Sequence, residues 1–247
     1  KVVKVLMRLI TRGRDEDALY AYTKLVKVAS KLLPLIPQKL AGFRTWLGVN
    51  LYWNQPDAAN ITQMVKLILR DACGQAGLEV APAVVIPTMG CFDPVSGTLF
   101  DDCNAYLKWA KKQGRYRKGQ PLVAVLGMRK HVIQRLDYLR QLTTGLEARG
   151  LAVLPVFVSG IEAHVAVREW LPDQPIDAFV STMGFSIVGG PASSTKPGHY
   201  HEMAADLLGK LDVPYLVAQP LLMQDELEWR QRGAHAMQSV VMYDLPE

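Results

Sequence analysis

Asp93, Arg129, His131, Gln219, Gln224 and Glu228 carry the groups best suited to handling a ligand in this sequence, and each follows a short apolar run. Phe92, Met183, Phe185 and Met223 share the same segments. Flat apolar groups interleaved with carboxylate, imidazole and guanidinium suit a planar, hydrophobic ligand with charged edges. Each residue also has a plainer reading. His131 and Arg129 could satisfy backbone carbonyls or a carboxylate. Glu226 and Glu228 lie where a helix begins, a place that favours acids electrostatically. Phe185 could be core, and Cys91 and Cys103 buried thiols. His199 and His201 in GHYHE sit two apart, so on a helix they would face different ways, which favours a solvated turn over a metal pair.

These residues gain weight from the elements that must position them. From Val80 onward short apolar runs alternate with amphipathic segments, as in β-α-β units. The expected strands are Ala83 to Ile86, Leu122 to Leu126, Ala152 to Val158, Ala178 to Ser181, Tyr215 to Ala218 and Ser239 to Tyr243. An open parallel sheet presents ligands at the carboxyl ends of its strands, so the leaving loops 88–97, 127–133, 159–162, 182–195 and 219–228 should form one rim. Helices are expected over 98–112, capped by Thr98, and over 134–149, 162–171, 199–211 and 225–232. The first 77 residues read as a helical segment, with Leu19 to Ile36 in one helix and another capped by Asn60, whose turn Gln63 closes. Residues 78–247 then form an α/β domain: a mostly parallel open sheet covered by helices.

Composition agrees with a globular domain. Apolar residues make up 49% and charged ones 21%, which excludes wholesale disorder and a membrane bundle. The longest uncharged run, Ala178 to Thr195, is broken by Gly, Pro, Ser and Thr and is a poor bilayer span. A surplus of 28 basic over 23 acidic residues is too small and scattered to indicate nucleic acid. Three cysteines without a CxxC pair suggest free thiols in a reducing compartment. GxxxxGK[ST], GxGxxG, GxSxG and HExxH are all missing, so neither a phosphate loop nor those hydrolytic centres are expected. The opening on Lys1 and the close at Leu245–Glu247 directly after a strand-like run read as a piece of a longer chain.

At the same loops the chain resembles the large, porphyrin-binding subunits of magnesium chelatase, which are related to the large subunits of cobaltochelatase. The resemblance is carried by GFSIVGGPA (184–192), LDVPYLVAQPLLMQ (211–224) followed by Glu228 and Trp229, LEARG (146–150), DDCNAYLKW (101–109), the Arg-x-His of Arg129 and His131, and WNQ at 53–55. It runs from about Thr45 to the end. It implies a subunit that holds protoporphyrin IX as substrate while Mg²⁺, also a substrate, is inserted. ATP would be hydrolysed on separate AAA+ ATPase subunits, in the cytoplasm or a plastid stroma, for chlorophyll or bacteriochlorophyll synthesis. Insertion removes two pyrrole protons, which needs a base, and strips water from a hard ion, which needs oxygen ligands. On this reading His131 removes a proton or ligates, Glu228 and Asp93 guide the ion, and Arg129 anchors a propionate. Phe185, Gln219 and Gln224 line the ring site. Two alternatives stand beside it: a cobaltochelatase-type subunit acting on a corrin precursor, and a non-catalytic tetrapyrrole carrier or sensor. Asp93 in place of a family His and Leu227 in place of a family Glu favour the carrier.

Overall fold

The computed structural model describes residues 41–160, 163–184, 186–188 and 201–236. The expected helix Leu19–Ile36, the expected strand Ser239–Tyr243, Glu162, Phe185 and His199 lie outside them. The chain forms two compact units, 1–86 and 87–247.

In the first unit, α1 (Ala41–Trp53) and α2 (Ala58–Asp71) pack where Gly48 meets Leu67: a Cβ on the glycine would come within 2.7 Å of Leu67 Cδ2. The cap of α2 is Asp57, which accepts from Asn60 N at 2.8 Å, and not Asn60 as expected. Asn60 is buried and does something else. Its amide donates to Val84 O and accepts from Val84 N, both at 2.9 Å. Gln63 Oε1 takes Ala81 N at 3.0 Å and Gln55 Oε1 takes Ile86 N at 2.9 Å. Residues 83–86 are therefore not a strand. Their backbone groups bond to side-chain amides of the helices, an alternative to a β ladder that satisfies the same donors and acceptors.

The second unit holds a six-stranded sheet: β1 (Met89–Phe92), β2 (Leu99–Phe100), β3 (Leu122–Met128), β4 (Ala152–Val158), β5 (Ala178–Ser181) and β6 (Tyr215–Val217). Their spatial order is β2-β1-β4-β3-β5-β6. β4, β3, β5 and β6 are mutually parallel, with Leu122 opposite Ala152 and Phe179 opposite Tyr215. β1 runs antiparallel to β4 and to β2. The α/β class and the mostly parallel sheet agree with expectation, and the antiparallel β1–β2 hairpin is additional.

Every residue of β3 and β4 is buried, because helices cover both faces. Alternation sorts them: Leu122, Ala124, Leu126 and Met128 join one core with Tyr106, Ala166 and Phe179, whereas Val123 and Val125 join another with Leu142 and Leu146. The first core receives α3 (Cys103–Lys112), α6 (Ala163–Glu169) and α7 (His201–Leu211); the second receives α5 (Asp137–Glu147).

Asp102, not Thr98, caps α3, accepting from Ala105 N at 2.7 Å. The helix expected over 134–149 is α5, which starts only at Asp137; the loop expected over 127–133 holds a further short helix, α4 (Arg129–Ile133), and the two are parted where Arg135 takes a left-handed φ of 52°. α8 (Glu226–Arg232) forms where the helix over 225–232 is expected, with Asp225 as its cap. No helix among the described residues is long and apolar enough to cross a membrane.

Gly90 in β1 is required by close packing. An added Cβ would lie 2.7 Å from Phe157 Cζ and 3.0 Å from Phe100 O. Gly90→Ala is expected to lower stability by ~1–3 kcal/mol through this overpacking, read by urea unfolding.

Candidate functional site

The carboxyl edge of the parallel strands gathers the residues with the most unusual surroundings. β3 is central, and Arg129 and His131 follow it at once in α4. Arg129 is buried, and its Nε donates to Pro87 O at 2.7 Å, which ties α4 to the chain entering β1. His131 is 2% exposed. Its Nδ1 lies 2.8 Å from Tyr138 Oη, and the two rings meet edge to face at 5.6 Å. Tyr138 Oη lies 3.4 Å from Thr182 Oγ1, which donates to Leu126 O at 2.9 Å. Thr182 follows β5, so the chain of contacts from His131 through Tyr138 to Thr182 links α4, α5 and the segment leaving β5. Fully buried Met183 follows Thr182.

Burial, with a smaller contribution from Lys130, lowers the pKa of His131 to about 4, so the ring is neutral at pH 7. Burial raises that of Tyr138, which remains a phenol. A neutral imidazole can accept a proton or offer a lone pair to a cation. The folded value lies below the ordinary 6.5, so the unfolded chain binds the extra proton between about 6.5 and about 4. The contribution of the neutral ring is complete above about 6.5 and is lost as the pH falls toward 4, on the order of 2–3 kcal/mol. Unfolding of His131→Gln over that window is expected to show a flatter acid limb than the parent.

The other expected site residues are dispersed. Asp93 does not reach this edge. Because β1 is antiparallel, with Met89 opposite Val158 and Cys91 opposite Val156, the chain at Asp93 has moved toward the amino ends of the parallel strands. There its carboxylate is 1% exposed and accepts from Arg115 Nη1 at 2.5 Å, Ser96 N at 2.8 Å and Val95 N at 3.2 Å. Burial pushes its pKa up, but the bonds from Ser96 and Arg115 outweigh that and hold it below the usual carboxylate value. Arg115 also pairs with Glu147 at 2.8 Å and stands 5.6 Å over the Trp109 ring.

Glu228 belongs to α8, on the chain leaving β6. Its backbone amide donates to Asp225 at 2.7 Å, and its half-exposed carboxylate lies 3.9 Å from Arg232. β1 and β6 are four strand spacings apart, ~19 Å, so Asp93 and Glu228 cannot ligate one ion. β3 and β6 are two spacings apart, ~10 Å, and His131 and Glu228 both follow carboxyl ends.

Gln224 closes the α8 loop on itself, donating to Gly233 O at 2.9 Å and accepting from His235 N at 2.5 Å. Gln219 follows β6, and its Oε1 is buried without a hydrogen-bond partner. Such an oxygen retains its full capacity to accept. Phe185 lies outside the described residues. Among the described residues, no group of three or more His, Cys, Asp or Glu could hold a metal. Sequence reasoning missed Tyr138 and Thr182. Thr182 stood at the head of a leaving loop, a signal that could have found it; Tyr138 sits in an ordinary helix turn.

Known proteins resemble this chain in sequence. A family model described as CobN/Magnesium Chelatase matches residues 50–247. The chain is 44% identical over all its residues to the H-type magnesium-chelatase protein of Chlorobaculum parvum, covering 19% of that protein. It is 30% identical over 91% of its length to the chloroplastic magnesium-chelatase protein ChlH of Oryza sativa subsp. indica, covering 17% of that protein. It thus spans about a fifth of the length of these relatives. A catalytic subunit of cobaltochelatase from Mycobacterium tuberculosis superposes with a TM-score of 0.48 at 21% identity, covering 78% of this chain and 15% of that one. With most of its length matched by the family model, the chain belongs to the CobN/magnesium chelatase family.

Proposed function

We propose that this chain is part of the porphyrin-binding large subunit of a magnesium chelatase, the subunit that holds protoporphyrin IX while Mg²⁺ is inserted. The observation that carries the reading is a buried, neutral His131 at the carboxyl end of the central strand, in a chain of the chelatase family. Insertion exchanges two pyrrole protons for one divalent ion, and a neutral imidazole sheltered from water accepts a proton without first losing one. Arg129 supplies positive charge beside it for a propionate. The unpartnered Oε1 of Gln219 offers a neutral oxygen to a pyrrole N–H or to the ion, and Glu228 offers a carboxylate that attracts Mg²⁺ to the same edge. Asp93 has no part in the reaction on this reading.

ATP would be hydrolysed on separate AAA+ ATPase subunits, in the cytoplasm or a plastid stroma. The test is titration of the intact subunit with protoporphyrin or deuteroporphyrin. Quenching of protein fluorescence at micromolar porphyrin supports the reading, and no quenching or absorbance change sinks it. The separation of Asp93 from Glu228 favours a second reading, a tetrapyrrole carrier. Porphyrin binding without metal insertion, once the ATPase subunits are added, would select it. Competition between Mg²⁺ and Co²⁺, and between porphyrin and corrin, separates the cobaltochelatase-type alternative.

A further inference from the structure

We infer that Tyr138, itself oriented by Thr182, is a positioning residue that fixes His131 in the Nδ1–H tautomer and so leaves Nε2 with the lone pair. The inference follows from counting protons along one chain of contacts. Thr182 has a single hydroxyl proton, and it is spent on Leu126 O at 2.9 Å. Toward Tyr138, 3.4 Å away, the Thr182 oxygen can then only accept, so it offers the phenol proton an acceptor. The phenol oxygen then faces His131 Nδ1 at 2.8 Å as an acceptor, and that nitrogen carries the proton. The reverse arrangement, with the phenol donating to Nδ1 and the ring proton on Nε2, would leave the Thr182 oxygen without a donor and make one bond fewer. The state of one ring nitrogen is set by the bond made at the other, so Nε2 is unprotonated.

Leu126 O is an anchor of unusual rigidity for such a chain, because Leu126 sits in the fully buried central strand and its carbonyl also accepts from Thr182 N at 2.8 Å. Backbone and side chain of Thr182 thus grip the same oxygen. The edge-to-face contact between the rings restrains the imidazole plane as well. The order is a β3 carbonyl, the hydroxyl of the residue just after β5, the α5 phenol and the α4 imidazole, and each link comes from a different part of the chain.

The catalytic consequence rests on the function proposed above; the tautomer does not. Both can be read on the intact subunit. With ¹⁵N-labelled histidine, the signal that disappears in His131→Gln identifies His131, and its nitrogen shifts are expected to report Nδ1–H in the parent and loss of that single tautomer in Tyr138→Phe. An Nε2–H signal in the parent overturns the inference.

With the ATPase subunits present, Tyr138→Phe is expected to lower kcat for metal insertion by about 10- to 100-fold, the range for partners that orient a functional His, with KM for porphyrin within about twofold. Thr182→Val should lose activity in the same sense, and Thr182→Ser, which restores the hydroxyl, should recover most of the loss. Parent-like kcat in Tyr138→Phe, or a loss confined to KM, overturns the positioning role. If His131→Gln itself turns over at the parent rate, the proposed function of His131 fails, while the nitrogen shifts still decide the tautomer.

Discussion

On the function proposed above, metal insertion by the intact subunit with its ATPase partners is expected to fall by about 100-fold or more on His131→Ala, with porphyrin affinity changed by only a few-fold. A positioned general base contributes roughly 10²–10⁴-fold, equivalent to about 3–5 kcal/mol in the barrier. His131 is neutral at pH 7 and so has a lone pair to take a proton, while the burial that lowers its pKa to about 4 makes it a weaker base than a free imidazole. The change also leaves a cavity and deprives Tyr138 of its partner. His131→Gln, which keeps a polar group of similar reach, therefore controls for lost structure and should lose insertion almost as completely. Steady-state kinetics beside porphyrin quenching check this: equal losses in binding and in turnover would show that His131 holds the ring but takes no part in proton removal.

Asp93→Ala is expected to act on stability instead. The carboxylate is buried and ties the β1–β2 turn to Arg115, which is also held by Glu147. Removing one partner of a buried pair and leaving the other charge uncompensated costs ~3–5 kcal/mol; here Glu147 still pairs with Arg115, so the loss is expected below that range. Asp93 also accepts the Ser96 and Val95 amides, which lose their acceptor in the variant. Its folded pKa is depressed, so its contribution is present above the ordinary carboxylate value and is lost as acid takes the pH below it. Urea unfolding at neutral pH measures the effect. Asp93→Asn keeps the shape and should leave the insertion rate of folded protein intact; a variant that unfolds like the parent yet no longer inserts metal would return Asp93 to the active site.

The two variants divide what could be read from the residues alone from what could not. β3, β4 and β5 were legible because strands covered on both faces must be apolar throughout, and a run such as Leu122 to Leu126 has few other uses. The edge bearing Arg129 and His131 followed from those strands, since parallel strands share one carboxyl end. β1 was not legible. MGCF is four residues with a glycine, and its pairing with β4 depends on residues more than 60 positions away. Its direction matters most, because an antiparallel strand delivers Asp93 away from the edge where a parallel one would have placed it.

Local sequence therefore determined this protein's class of fold, its central strands and the neighbourhood of His131, because burial and chain direction act on every residue of an element and leave a pattern in composition. Only tertiary structure decided the partners: Asp93 with Arg115, Gln224 with its own loop, Asn60 with Val84, His131 with Tyr138 and Thr182. A hydrogen bond is made within about 3 Å by groups that can stand anywhere in the chain. Its formation depends on how whole elements pack, a quantity spread over many residues and written in none of them singly.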